Sequence, residues 1–338
     1  MRPSMSDYLF DKTGDDPAVA ELEGLLGVYA HRTPLREPPL REPPPREPAR
    51  RRRWLPAAAA GGVIAAAAVL VVVWRSGGSE ECTAAGPGFA FSVEGGPARC
   101  GGGVASRGTL RVGAWLETSS SAVAGVRIAD IGELTVFPDS RVRLVGTGAD
   151  GHRMQLARGK LAARVVAPPR LFVVDTPVAA AVDLGCAYEL TVDRDGRTLL
   201  RVTSGTVSLE GHGLVAYAPM GTEVVASPGR GPGTPVAVGA PDSLRAAVAR
   251  FDGGDPSAVR AIVDAAGLSD TITLWNLLSR TSATERATVV ARLDELAGRP
   301  DSVRADDVRA GDSDAIARWR HALEQRWICL ECYPGKKQ

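Results

Sequence analysis

Residues 171–209, LFVVDTPVAAAVDLGCAYELTVDRDGRTLLRVTSGTVSL, decide the fold. Leu171–Val174, Tyr188–Val192, Thr198–Val202 and Thr206–Leu209 are short runs in which apolar and polar side chains alternate, the period of a strand with one buried face. Asp193-Arg194-Asp195-Gly196 separates the second run from the third, and Asp-Gly between β-branched runs is the chemistry of a tight hairpin. The same pattern extends outward through Thr109–Val112, Val126–Ile128, Leu134–Phe137, Arg141–Val145 and Leu161–Val166, and on to Glu223–Ala226. Pro138-Asp139-Ser140, Gly148-Ala149-Asp150-Gly151 and Glu210-Gly211-His212-Gly213 mark turns between the runs. Many short strands at steady spacing predict a mainly β domain, an antiparallel sandwich or roll, over residues 89–226.

The order of these segments resembles the FecR domain. GELTVFPDSRVRLV (132–145) is followed by MQLARGKLAARVV (154–166), RLFVVDTPVAAAVDLGCAYELTV (170–192) and TLLRVTSGTVSLEG (198–211). Gly159 after Leu156 matches an L-x-x-G element, and Phe172, Val174, Thr176 and Pro177 match an F-x-V-x-T-P strand. Gly185, Tyr188 and Leu190, then Gly205 and Val207, match the last two elements. The upstream stretch GTLRVGAWLETSSSAVAGVRI (108–128) looks like the domain's opening. Cys186 stands where the family places Thr, and a Cys in a dense β core behaves as a small buried hydrophobe. The resemblance implies a single-pass membrane regulator without enzymatic activity, whose cytoplasmic tail contacts a sigma factor.

The residues N-terminal to this domain support that topology independently. Residues 55–73, LPAAAAGGVIAAAAVLVVV, carry no charged or polar side chain, enough at 1.5 Å per residue to cross a hydrocarbon core of about 30 Å. Trp54 and Trp74 bracket the run, which starts too far from Met1 and is too long for a signal-peptide core. Arg50–Arg53 precede it and Arg75 alone follows before Glu80 and Glu81, which places the N-terminus in the cytoplasm of a bacterium and the rest in the periplasm. The expected order is a cytoplasmic tail (1–34), a Pro/Arg-rich spacer of polyproline type (35–53), the span (54–74), a juxtamembrane linker (75–88) and the β domain. In the tail, Asp16 and Pro17 start a helix on which Val19, Leu22, Leu26 and Tyr29 form one apolar stripe. So short a piece cannot bury that stripe alone, and Glu21 and Glu23 disfavour anionic lipid, so a cytoplasmic protein is the expected partner. The tail has no Cys, which excludes the zinc motif of some anti-sigma factors.

Beyond a linker at 227–241, the period becomes helical over 242–338. Ser282 and Glu285 form a capping box ahead of Val289, Val290, Leu293 and Leu296. Asp312 or Ser313 opens a helix carrying Ile316, Trp319, Leu323 and Trp327, a stripe better suited to core packing than to a ligand platform. Asp242–Phe251, Pro256–Ala266 and Ile272–Leu278 are shorter helical stretches. All five cysteines follow the span, in keeping with an oxidising compartment. Cys82 and Cys100 are candidates for one disulfide. Cys329 and Cys332 have redox or metal half-site spacing, although a structural disulfide is the preferred reading.

A formal charge of +1 gives no reason to expect nucleic acid, and no P-loop, Gly-x-Ser-x-Gly or His-Glu-x-x-His motif is present. No cofactor or resident metal is expected. Two functions stay open: a transmembrane signalling regulator whose exported domain senses an envelope protein or ligand, or an envelope scaffold for which tail and span are only an anchor.

Overall fold

The computed structural model describes Cys82 and residues 86–328. The tail helix, the 55–73 segment and the Cys329/Cys332 pair lie outside these residues. Among the described residues no helix is long and apolar enough to cross a membrane.

Among the described residues, eighteen strands precede six α-helices. The strands are β1 (Gly88–Glu94), β2 (Ala98–Cys100), β3 (Gly103–Ala105), β4 (Arg107–Arg111), β5 (Trp115–Thr118), β6 (Val123–Ile128), β7 (Gly132–Val136), β8 (Arg141–Gly148) and β9 (Gly151–Val165). They continue as β10 (Phe172–Asp175), β11 (Ala180–Asp183), β12 (Ala187–Val192), β13 (Thr198–Ser204), β14 (Thr206–Gly211), β15 (Leu214–Pro219), β16 (Thr222–Ser227), β17 (Gly231–Pro232) and β18 (Val236–Ala237). One sheet runs β4-β1-β6-β7-β9-β12-β13-β16, with β17 and β18 on its edge. The other runs β3-β2-β5-β8-β9-β10-β11-β14-β15.

Strand β9 belongs to both sheets. Its first half pairs with β8 and β10, and its second half with β7 and β12. The bend between the halves falls at Gly159, whose φ of +87° suits a residue without Cβ. A Cβ there would lie 2.5 Å from Ser140 Cα. Ser140 is fully buried; its hydroxyl accepts from Lys160 N at 2.8 Å and donates to Pro138 O or Lys160 O at 3.1 Å, strapping the bend to the preceding turn. The inner faces of the two sheets form one core. Phe89, Val126, Leu134, Leu161, Tyr188 and Leu200 come from one sheet, and Leu116, Leu144, Met154, Phe172 and Leu209 from the other. Each such side chain contributes about 1.5–3 kcal/mol on burial.

Two expectations need correction. The ladders are not all antiparallel, because β10 pairs with β9 in parallel, Phe172 opposite His152 and Asp175 opposite Gln155. Strand β9 ends in the opposite sheet, so the chain must cross back and re-enter beside β9's start in the same direction. Residues 227–241 are not a free linker either. Gly231–Pro232 and Val236–Ala237 bond to β16, and Gly231–Val236 are buried. Proline lacks an amide donor but is tolerated on an edge, where one side of the strand has no ladder to complete.

The helices are α1 (Asp242–Asp252), α2 (Ala258–Ala265), α3 (Thr271–Leu277), α4 (Ala283–Ala297), α5 (Ala305–Ala310) and α6 (Ser313–Ile328). Ser282 and Glu285 make the reciprocal capping bonds that start α4: Glu285 N donates to Ser282 Oγ at 3.4 Å and Ser282 N to Glu285 Oε2 at 3.0 Å. Trp319 and Trp327 are buried in a second core, where their indole N–H groups donate to Gly298 O and Thr271 Oγ1, both at 3.1 Å. This core is docked on the edge of β15. The Tyr217 ring lies 5.8 Å from Trp275 and 6.1 Å from Trp327, and its hydroxyl donates to Glu324 at 2.7 Å. Burial and the Glu324 carboxylate push the Tyr217 phenol up to about 12.

Candidate functional site

The outer face of the second sheet carries a grouping of charges with an aromatic, Trp115, at its centre. Because side chains alternate along a strand, Leu116, Val142, Leu144, Met154 and Leu156 point into the core, and the residues between them point outward. The register aligns those outward residues. Trp115 on β5 lies opposite Arg143 on β8, and Glu117 lies opposite Arg141. Arg143 faces Gln155 on β9, and Gln155 faces Asp175 on β10. Arg99 extends the row through β2, beside Glu117.

The Arg141 guanidinium carbon sits 4.1 Å from the Trp115 ring centroid and that of Arg143 sits 4.9 Å away. A cation over an indole gains about 0.5–1 kcal/mol when exposed, so the pair holds the half-buried ring upright on the sheet. Glu117 binds both Arg141 at 3.1 Å and Arg158 at 3.4 Å. Arg153 makes a two-pronged pair with Asp175, at 2.6 and 2.7 Å. Arg170 does the same to Glu210, at 2.9 and 3.3 Å, and this bonding lowers the Glu210 carboxyl's pKa. Six arginines (99, 141, 143, 153, 158 and 170) stand with Glu117, Asp175 and Glu210, and Asp193, Arg194 and Asp195 border Arg141 and Arg158, so arginines outnumber carboxylates on this face. Arg143 Nε and Gln155 Oε1, cross-strand neighbours beneath this face, are buried without hydrogen-bond partners among the described residues. The arrangement suits an acidic partner laid across the sheet with an apolar or sugar face against Trp115.

A second polar group lies inside the core. Asp183, 1% exposed, accepts from Gly185 N at 2.6 Å and from the Cys186 thiol at 2.7 Å, forming the turn by which the chain leaves β11 for β12. Burial raises the Asp183 carboxyl's pKa and pushes the Cys186 thiol far above its ordinary range. The Tyr188 hydroxyl, in the same core, is buried without a hydrogen-bond partner among the described residues. A high thiol pKa is the opposite of what a nucleophilic cysteine needs, so this group is structural.

Among the described residues, no group of three or more His, Cys, Asp or Glu side chains is placed to hold a metal. Cys82 and Cys100 are joined as a disulfide with Cα atoms 6.0 Å apart, tying the residues before β1 to β2. Val19, Leu22, Leu26, Tyr29, Cys329 and Cys332 fall outside the described residues, so the structure brings none of them to a site. Sequence reasoning missed the arginine-rich face. Its signal, Trp115 and Glu117 alternating with core residues and Arg141 and Arg143 doing the same, becomes visible only when the β5–β8 register is known.

Residues 115–208 match the FecR protein family. The FecR match opens on Trp115 and closes inside β14, so it takes in β5 to β13, the shared strand β9, the Asp183–Cys186 turn and most of the arginine-rich face. Two crystal structures of a protein provisionally described as an anti-sigma factor from Parabacteroides distasonis ATCC 8503 align with 16% identity and a TM-score of 0.31. The alignment covers 35% of this chain, and the chain spans 56% of the length of theirs. No curated protein matches the chain.

Proposed function

We propose that this chain is a non-enzymatic membrane-anchored regulator. Its FecR-like β region, outside the cytoplasmic membrane, senses an envelope partner, and its tail relays that state to a cytoplasmic protein, a sigma factor in the first instance. The observation that carries the reading is the FecR match over residues 115–208. The apolar run at 55–73 with four arginines before it supports the anchor and its orientation. The exported partner is an acidic envelope protein or polymer that lies on the Trp115 face, because arginines outnumber carboxylates there. The stripe Val19, Leu22, Leu26 and Tyr29 is the cytoplasmic contact.

The test is affinity capture of the full chain from its own membranes after cross-linking, with two variants beside it. Capture of a sigma factor that Leu22→Asp with Leu26→Asp abolishes supports the relay. Loss of an envelope protein or polymer in Trp115→Ala with Arg143→Glu supports the sensing face. Capture of envelope components alone, with nothing cytoplasmic that responds to the tail variant, overturns the signalling reading in favour of a scaffold.

A further inference from the structure

A cavity of about 450 Å³ lies between the outer face of β16 and helix α1. Val225, Val236, Val248 and Ala249 give it an apolar floor, and Arg197, Glu223, Arg230, Arg245 and Asp252 ring it. The ring's two carboxylates are already engaged. Glu223 binds Arg245 at 3.3 Å and Arg201 at 3.5 Å. Asp252 accepts from the Thr234 amide and hydroxyl, both at 2.8 Å, and faces Arg280 at 3.8 Å. Arg245 is spent on the carbonyl oxygens of Ala237, Val238 and Ala240, which close the end of the sheet before α1. Two exposed guanidinium groups remain. Arg197 has no side-chain partner among the described residues, and Arg230 holds only the Asp252 carbonyl, at 3.4 Å.

We propose that this cavity binds an apolar monocarboxylate, with its carboxylate between Arg197 and Arg230 and its hydrocarbon on the Val225–Val248 floor. The planar fork of a guanidinium matches a carboxylate in two-point bonding. A group of single charge fits better than a phosphate, since Glu223 and Asp252 stand in the same ring and repel extra negative charge. The volume falls within the range of small-molecule sites, and the apolar floor with a charged rim suits a ligand that is apolar at one end and anionic at the other. Because one wall is the sheet and the other is α1, the ligand bridges the β region and the helical region. Free short-chain fatty acids and the C-terminal residue of an apolar peptide present the same chemistry. The site does not depend on the signalling role.

The experiment is titration of the full chain in lipid nanodiscs with sodium hexanoate and with acetyl-Ala-Ala-Leu as the free acid, followed by calorimetry. Hexanol and the amidated tripeptide are the uncharged controls. Saturable binding of an acid and none of its control is the expected result. Arg197→Ala with Arg230→Ala should weaken it about tenfold or more. Ala249→Trp, at a solvent-facing position of α1, should abolish it by filling the cavity. Binding of hexanoate alone identifies a free acid as the source, and binding of the tripeptide acid alone identifies a chain terminus. No saturable binding of either acid to the unaltered chain overturns the proposal. So does affinity left unchanged in the double arginine variant, whose exposed side chains the fold does not need.

Discussion

Asn276 on α3 bonds both backbone polar groups of Tyr217 on β15: Tyr217 N donates to its Oδ1 at 3.0 Å, and its Nδ2 donates to Tyr217 O at 3.1 Å. A side-chain amide thus occupies the place of a neighbouring strand. Arg280 continues the arrangement by donating to Val215 O at 3.3 Å. An uncovered sheet edge is a template for aggregation, and here the helical region covers it. Asn276→Leu keeps the volume but leaves the Tyr217 amide and carbonyl unpaired, at about 1–3 kcal/mol per group. A loss of about 2–4 kcal/mol in denaturant unfolding is expected. An unchanged midpoint would show that the edge is closed by packing alone.

Gly159→Ala places a methyl group against Ser140 and forces a non-glycine residue to φ near +87°. Backbone strain of this kind costs about 1–3 kcal/mol before the clash is counted. The variant should unfold at least ~10 °C lower by calorimetry or fail to accumulate. Gly213, also at positive φ but in open space, is the control, and its Ala variant should lose much less.

Asp183, Asp252 and Asp270, whose pKa values burial raises, contribute to the pH dependence of stability with a sign opposite to that of Glu210, whose pKa is lowered. A carboxyl with a raised native pKa holds its proton more tightly folded than unfolded. Its contribution is therefore fully present below the unfolded value of about 3.9 and is lost as pH rises through the native one. Asp183→Asn keeps an acceptor for Gly185 N and removes one of these titrations. From about pH 4 to about pH 7 the stability of the unaltered chain should decline relative to that of the variant, and parallel curves would refute the assignment.

Cys186 should be inert to alkylation in the folded chain and react once it is unfolded, because its thiol is buried and held protonated beside Asp183. Mass spectrometry of the Cys186 peptide after iodoacetamide treatment, with and without guanidinium, reads this directly. Replacing both Cys82 and Cys100 with Ser should cost about 3 kcal/mol, the entropy of closing a loop that spans 18 residues.

Strands flanked by sharp turns were legible in the sequence. Tyr188–Val192 and Thr198–Val202 alternate cleanly and are joined by Asp193–Gly196, and both are strands. Strand β9 was legible only in its second half, because Gly159 mid-run reads as punctuation, whereas here it bends one strand between two sheets. Strand β11 was hidden for another reason: Ala181, Val182 and Asp183 are all buried, so no polar side chain marks an outer face. Asn276 sits within ITLWNLL and reads as the polar exception on an apolar helix; its role depends on a strand 59 residues away. The Trp115 face likewise needed register, since β5 and β8 at its centre are neighbours in space although β6 and β7, which belong to the other sheet, lie between them in the chain.

Strand β9 also sets how the β region bears load. Sheets that merely stack can slide past one another or peel apart one hydrogen bond at a time. Here a single continuous strand is stitched into both, with ladders on either side of Gly159. Pulling one layer away from the other must therefore strip β9 from both of its neighbours in one sheet at once, and a tug on one layer is carried to the other along covalent backbone.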